Sequence, residues 1–380
     1  MANAWEHPSV IASEALMHLE DSLVITNLAS RDKTSEFDTG SMKVGDTINM
    51  RTNPDYEAKE FTNDGVSTIV TQDIRSSTRP FQIEKLFDVS VDITSREKAL
   101  DLDSFSDQVI IPAIYRIAEQ CDKYVGTKIL DAAGLYASAT LLGDAADVAQ
   151  ARKAATLQQL DMNRHCLVNT DLEATLLGQT WFNQSQTRGS AGESTLSSGN
   201  MGHVMGMDFS TSINFPSLTR AASSGTTQTD STVATNNVIG LKVLTVDSVT
   251  GGFTAGDRIS VAGVRRPLIV ASNVSAAATT IPLVDPISEI IPDNAAITVI
   301  GSGQTYSAQG AIFDGRSLAV AMPSLGTPSD KPSFVAASNG YSIRVVQGYD
   351  ITKKVETMSL DLMMGAVAWD PRKITLLADY

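Results

Sequence analysis

The sequence predicts an α+β fold whose second half is interrupted by a small all-β domain, and three patterns favour this prediction. Apolar and polar residues alternate in stretches between 44 and 94, as they do in strands with one buried face. Between 103 and 133, apolar residues instead recur every three or four positions, which is typical of a helix. From 238 to 300, short β-rich runs are separated by Gly and Pro turns, as in small barrels and sandwiches.

The overall composition excludes several classes of protein. The 380 residues suffice for one large domain or two to three modest ones. The formal net charge is −14 and no dense basic patch is present, so sequence-specific DNA binding is not expected. No stretch approaches the ~20 apolar residues of a membrane span. The first 28 residues lack a signal-peptide pattern, so we expect synthesis in the cytoplasm and no membrane association.

The N-terminal segment, 1–42, is interpreted as an arm. A short amphipathic helix is predicted over 13–28, with Ser13 as its N-cap, and the polar stretch 30–41 follows it. A helix of this length cannot form a core alone, so the arm is expected to pack on other elements. The apolar positions at helical spacing are Ala15, Leu16, Leu19, Leu23 and Val24.

Residues 43–94 are predicted to form an extended hairpin. Alternating runs at 47–51, 81–84 and 89–93 indicate strands, and the polar stretch 52–65 between them contains two turn sequences. Such a projection has little core of its own, and we expect it to pack on another chain.

The longest helix is predicted over 103–133, within a segment that spans 95–140. Ser104 and Asp107 approximate a capping box, and Gly134 is a suitable stop signal. Pro112 removes one backbone donor and should bend the helix near its start. The apolar stripe consists of Ile110, Ile114, Ile117, Cys121, Val125 and Ile129.

An α/β subdomain is predicted to begin at 141 and to continue to 222. Its elements are a helix at 144–160, a buried strand at 165–169 and a short helix through Leu177 that Asp171 caps. A Ser- and Thr-rich flexible connection at 221–235 follows.

A small barrel or sandwich is predicted as an insertion over 223–304, and the α/β subdomain is expected to resume over 305–380. The return is predicted to contain a helix at 313–321, ended by Pro323. The strands of the insertion are predicted at 241–246, 258–261, 267–270, 280–284 and 296–300, and those of the return at 341–347, 357–363 and 374–377.

No catalytic, cofactor or metal site is predicted. The four histidines have no metal-ligand spacing, and Cys166 and His165 are adjacent on a strand, so their side chains point to opposite faces. The sequence beginning at Gly301 lacks the last glycine of a dinucleotide loop. Cys121 and Cys166 are expected to be buried free thiols. The protein is therefore predicted not to be an enzyme.

The order of these elements resembles the Hong Kong 97 capsid fold of tailed bacteriophages. It is most similar to the coat proteins of the short-tailed Salmonella-phage type (the P-twenty-two type), which carry an extra β domain at the same place. After Val264 the turn through Arg265, Arg266 and Pro267 is shorter than in that family. The segments that carry the resemblance are 43–48, 71–74, 87–89, 93–95, 110–122, 255–264, 341–346 and 349–351.

The resemblance implies a major capsid protein that self-assembles, as pentamers and hexamers, into an icosahedral shell around a double-stranded DNA genome. It implies a scaffolding protein and a portal as partners, DNA only in non-specific proximity, and a place in the virion after assembly in the host bacterial cytoplasm. In the terms of the family, the segments would be an N-terminal arm (1–42), an extended loop with peripheral-domain strands (43–94), a spine helix with the peripheral domain (95–140), the first part of an A-domain (141–222), an inserted β-barrel (223–304) and the A-domain return with C-terminal strands (305–380).

Two alternatives stay open from the sequence: an encapsulin-like shell of a protein compartment, and a carbohydrate-binding or adhesin-type virion protein. On the capsid hypothesis, contacts between subunits are assigned to charged residues of the extended loop, against the alternative of a solvated hairpin rim. These residues are Arg51, Glu57, Lys59, Glu60, Arg75 and Arg79.

Overall fold

The fold consists of two β-sheets, a long helix packed on the first sheet, and a small β-barrel inserted beside the second. The computed structural model describes residues 8–32, 45, 47–58, 60–61, 68–69, 71–94, 106–160, 163–184, 195–230, 236–329, 331–353 and 355–380. The helices are α1 (Pro8–Ser22), α2 (Ile111–Ile129), α3 (Ala145–Leu157), α4 (Thr170–Leu177) and α5 (Thr180–Asn183). In chain order, the strands are β1 (Thr47–Arg51), β2 (Thr78–Thr94), β3 (Gly134–Ser138), β4 (His165–Val168), β5 (His203–Val204), β6 (Met207–Thr211), β7 (Leu218–Ala221), β8 (Thr226–Gln228), β9 (Val243–Thr245), β10 (Arg258–Val261), β11 (Leu268–Ile269), β12 (Thr280–Pro282), β13 (Ala296–Val299), β14 (Thr305–Phe313), β15 (Leu318–Ala321), β16 (Ser333–Ser338), β17 (Tyr341–Asp350), β18 (Val355–Ala368) and β19 (Ile374–Asp379).

The first sheet, called here the hairpin sheet, is antiparallel and has the order β1-β2-β18-β17-β16, with β15 also paired to β18. Helix α2 packs on β18 and β2, and α1 packs on β16, β17 and α2. The prediction that 341–347 and 357–363 continue the α/β subdomain is therefore wrong. Strand β18 pairs instead with β2, the return strand of the hairpin, because β2 extends over 17 residues and offers β18 a long edge, and β17 pairs with β18.

The second sheet, called here the α/β sheet, has the order β3-β19-β14-β4-β6-β5, with β7 paired to β14. Its pairs β3–β19 and β4–β6 are parallel, and helices α3, α4 and α5 bury apolar side chains against Cys166, Ile312 and Leu377. The predicted helix at 313–321 is wrong. Residues there complete β14 and form β15, whose four residues are all buried. When a segment is buried on both faces, its apolar residues are continuous, and their spacing does not distinguish a strand from a helix.

The inserted domain is a closed six-stranded barrel. Strands β11-β10-β13-β8 form one sheet and β12-β9 another, and isolated bridges join them at Val270–Leu283 and Thr229–Val246. The five predicted strands are present. The connection predicted as flexible at 221–235 is partly wrong, because it contains the end of β7 and all of β8; residues 231–235 lie outside the described part of the chain.

The helix ends differ from the predicted ones for local reasons. Helix α1 spans Pro8–Ser22, and the hydroxyl of Ser13, its predicted cap, donates to the Ser9 carbonyl (2.9 Å). Helix α4 is capped by Asn169, whose Oδ1 accepts from Leu172 N (2.9 Å), and not by Asp171. Helix α3 begins after Asp144, as predicted, with Asp144 Oδ1 accepting from Asp147 N.

The long helix α2 is shorter than predicted. Pro112 lies in its first turn, and a π-helical turn at Ser106–Ile110 directly precedes it. The capping role assigned to Ser104 lies outside the described residues. Gly134 does not end the helix but begins β3, where a β-carbon would lie 2.7 Å from Thr375 Oγ1. This glycine therefore allows close contact with β19.

The chain crosses between the two sheets at two neighbouring turns, in addition to the connection from β2 to β3 through α2. The turn Gly315–Ser317 leads from β14 to β15, and the turn Pro371–Lys373 leads from β18 to β19. The backbone N–H groups of Trp369 and Asp370 both donate to the Ser317 carbonyl, at 2.8 and 3.2 Å. The two crossings are thus hydrogen-bonded side by side.

Candidate functional site

The described residues contain no group of three or more His, Cys, Asp or Glu side chains placed to hold a metal ion. Across the same residues, no helix has the length and apolarity that crossing a membrane requires. His165 is partly exposed, whereas Cys166 is fully buried, so the two adjacent side chains do not form a nucleophile–base pair.

Both cysteines are buried free thiols, as expected. Burial raises the pKa of each thiol well above its ordinary value, and the carboxylate of Asp122 raises that of Cys121 further. Because the thiolate is the reactive form, we expect neither cysteine of the native protein to react with Ellman's reagent at neutral pH. Both should react after unfolding in urea, and rapid reaction of the native protein would contradict their burial.

The N-terminal segment packs on its own subunit through a buried carboxylate. Asp122 of α2 is 1% exposed, and its oxygens accept hydrogen bonds from Val24 N (2.9 Å), Thr26 N (3.0 Å) and Thr26 Oγ1 (2.8 Å). These bonds turn the chain away from the helix axis, which accounts for the end of α1 at Ser22. The apolar face of α1 is buried, so residues 8–30 form part of the subunit core.

Among its described residues, the extended hairpin has strand pairing only at its base. Five residue pairs join β1 and β2, and the residues described between Arg51 and Thr78 form an excursion outside the sheet. Within that excursion, Gln72 Nε2 donates to the Glu57 carbonyl (2.6 Å), and Glu57 N donates to Gln72 Oε1 (3.0 Å). Four apolar side chains of the excursion are at least half exposed: Tyr56 (56%), Phe61 (54%), Ile69 (80%) and Ile74 (77%).

Of the six charged residues assigned from the sequence, the five that the structure describes do not form one cluster. Arg51 and Glu60 are exposed, and Lys59 lies outside the described residues. Arg75 is paired to Asp73 at 3.6 Å and remains 41% exposed. The structure brings Arg79 to Asp285 of the barrel, within the same chain, and the two side chains are only 20% and 10% exposed. The role of these residues between subunits stays a prediction.

The ion pair between Arg79 and Asp285 is expected to hold the hairpin against the barrel. Arg79→Glu places two carboxylates together in a largely buried position, and we expect it to lower the free energy of unfolding by about 2 kcal/mol. The exchange of both charges, Arg79→Asp with Asp285→Arg, should recover part of this loss. Urea unfolding of the unassembled subunit measures both effects. Arg75→Glu is the matched control, and an equal loss there would contradict a specific role for Arg79.

A second buried charge joins the barrel to the long helix, and the sequence analysis did not identify it. Arg258 of β10 is 4% exposed; its guanidinium donates to the carbonyls of Ala132 (2.9 Å) and Leu130 (3.0 Å) and to Tyr306 Oη (3.1 Å). Carbonyls after the last turn of a helix lack intrahelical donors, so the guanidinium caps the end of α2. The only signal in the sequence was a charged residue at an inward position of a predicted strand.

A small polar cavity of about 220 Å³ lies where the chain crosses between the sheets. Lys373 and Arg316 lie on the two crossing turns, and Trp369 donates from Nε1 to the Arg51 carbonyl at the base of the hairpin (3.3 Å). Next to this cavity, the buried Arg372 pairs with Asp370 and with Asp55 of the hairpin excursion. The lining residues are Thr52, Asn53, Arg316, Trp369, Asp370 and Lys373.

Comparisons with known proteins bear on the fold alone. No protein-family model and no curated protein matches the sequence. A solved structure from Mycobacterium phage Che8 is similar over 93% of this chain and 90% of that chain, with a TM-score of 0.51 and 10% identity. The capsid structure of the cyanophage P-SCSP1u covers 90% and 85% of the two chains, with a TM-score of 0.48 and 13% identity. The chain has the Hong Kong 97-type capsid fold with a β-barrel inserted into it.

Proposed function

We propose that this chain is the major capsid protein of a tailed bacteriophage, which assembles in many copies into the icosahedral shell around the double-stranded DNA genome. Its role is architectural rather than enzymatic. Pentamers and hexamers of the same chain would form the shell in the host bacterial cytoplasm, with a scaffolding protein and a portal as partners. The inserted barrel supports placing the chain near the short-tailed Salmonella-phage type within the fold.

The observation that carries this proposal is a capsid-type fold in which the excursion between Arg51 and Thr78 exposes apolar side chains. Tyr56, Phe61, Ile69 and Ile74 expose more than half of their surface on this one segment. Exposed apolar side chains concentrated on a projection favour burial against another chain. Contacts of modest strength, repeated around a closed assembly, add up through multivalency.

Assembly of the purified full chain tests the proposal. With a scaffolding protein supplied, we expect closed shells of uniform diameter in negative-stain electron microscopy and a matching fast-sedimenting species. Particles recovered from infected cells should contain DNA; particles filled with a cargo protein would support a compartment shell instead. A subunit that never associates, with or without scaffolding protein, would overturn the proposal.

The assigned loop contacts have their own test in the same assay. Arg75→Glu is expected to reduce the yield of shells while leaving the unfolding midpoint of the unassembled subunit unchanged, because Arg75 is largely exposed. A normal yield of shells would remove Arg75 from the set of contact residues.

A further inference from the structure

We infer that the cavity at the sheet crossings, named here the crossing pocket, receives a carboxylate side chain from a second copy of this chain. This inference rests on the proposed function and specifies one contact of the assembly. The crossing pocket is defined by its six lining residues, which include two cations, Arg316 and Lys373, and the indole of Trp369.

The two cations of the crossing pocket have no ion-pair partner among the residues that the structure describes. Neither the Arg316 guanidinium nor the Lys373 ammonium group forms an ion pair with any residue that the structure describes. The neighbouring Arg372, by contrast, is fully engaged by Asp370 and Asp55. Asp370, the acidic residue in the lining of the crossing pocket, is thus already paired with a different cation.

The position of the two cations is fixed by the fold. Phe313 and Ile374 are paired in β14 and β19, and Leu318 and Ala368 are paired in β15 and β18. The turns that carry Arg316 and Lys373 lie between these pairs, and the indole of Trp369 is held by the Arg51 carbonyl. The site is therefore built from three backbone segments and needs little rearrangement to accept a ligand.

The overall charge favours a carboxylate on another copy as the occupant. With 43 acidic and 29 basic residues, identical subunits repel each other unless their unpaired cations meet acidic side chains. A volume of about 220 Å³ is below the ~300–1,000 Å³ typical of small-molecule sites, and it suits one inserted side chain. Nucleic-acid backbones are held by dense basic patches, whereas Asp370 lies in the wall of this cavity.

A zero-length cross-linking experiment tests the inference on the unmodified chain. Unlabelled and nitrogen-labelled subunits are mixed, assembled into shells and treated with a carbodiimide, which joins an ammonium group to a carboxylate in direct contact. We expect mass spectrometry to find Lys373 joined to an Asp or Glu peptide in pairs of mixed isotope composition, which can arise only between copies. If shells form and Lys373 yields no mixed pair, the inference is wrong and the proposed function stands.

Substitutions give a second, independent measurement. The double variant Arg316→Gln with Lys373→Gln should fold with an unchanged unfolding midpoint, and the yield of shells should fall about tenfold, because the contact is lost from every copy. Lys331→Gln is the matched control, since Lys331 is an exposed lysine outside the ion pairs of the described residues. A normal yield, or a loss of DNA content without a loss of shells, would overturn the carboxylate contact. If the unmodified chain forms no shells, the proposed function fails and this inference falls with it.

Discussion

Arg258→Met is expected to lower the free energy of unfolding of the subunit by about 3 kcal/mol. The substitution keeps an apolar stem of similar length but removes the donors that satisfy Leu130 O, Ala132 O and Tyr306 Oη. A buried acceptor left without a donor lowers the free energy of unfolding by more than its hydrogen bond had contributed, because water cannot replace the lost partner. The barrel should then separate from α2 more easily.

Urea unfolding of the unassembled subunit, followed by circular dichroism, measures this effect. Lys242→Met is the matched control, because it removes an exposed cation from the same barrel, and we expect it to change stability by at most about 0.5 kcal/mol. Hydrogen exchange at the end of α2 provides local evidence and should accelerate only in Arg258→Met. Equal losses in the two variants would contradict a bracing role for Arg258.

Asp122→Ala is expected to lower the free energy of unfolding by a similar amount, about 3 kcal/mol, and to release the N-terminal segment from α2. The backbone N–H groups of Val24 and Thr26 lose their acceptor in an environment that excludes water. Because Ile11, Ala15 and Leu19 are buried only while α1 stays docked, weaker attachment at residues 24–26 should expose the whole helix to exchange.

Limited proteolysis and hydrogen exchange over residues 8–30 measure the release. Glu119→Ala lies on the same helix as Asp122, and its ion pairs with Arg116 and Lys123 are on the surface, so we expect little change from this control. Undiminished protection of α1 in Asp122→Ala would show that apolar packing alone holds the segment.

The long helix could be predicted because its buried residues recur at helical spacing. The strands of the barrel could be predicted because turn residues separate them. All six residues of the α2 stripe are buried at 1% or less. In the barrel, glycines with positive φ at 251, 252, 256 and 263 mark where strands must end, so the predicted strands needed only small adjustments. Strand β8 was not predicted because Thr226 and Thr227 belong to a run of small polar residues in which apolar and polar side chains do not alternate.

The contacts between distant segments could not be predicted from local patterns. Asp122 and Arg258 are single polar residues beside apolar stripes, and their partners lie 96 and 126 residues away in the chain. The assignment of the later strands failed for a related reason. Alternation identified β17 and β18 as strands, but only tertiary pairing with β2 determines which sheet they join. The crossing pocket has no sequence signature, since its residues come from three separate segments.

The paired crossings between the sheets restrict how one half of the subunit can move against the other. Helix α2 is a third connection between the sheets, and buried residues of both sheets, such as Phe313 and Leu360, belong to one apolar core. Bending between the halves would disrupt this shared core. Angles between neighbouring copies would then have to be adjusted at the contacts between chains, not inside each chain.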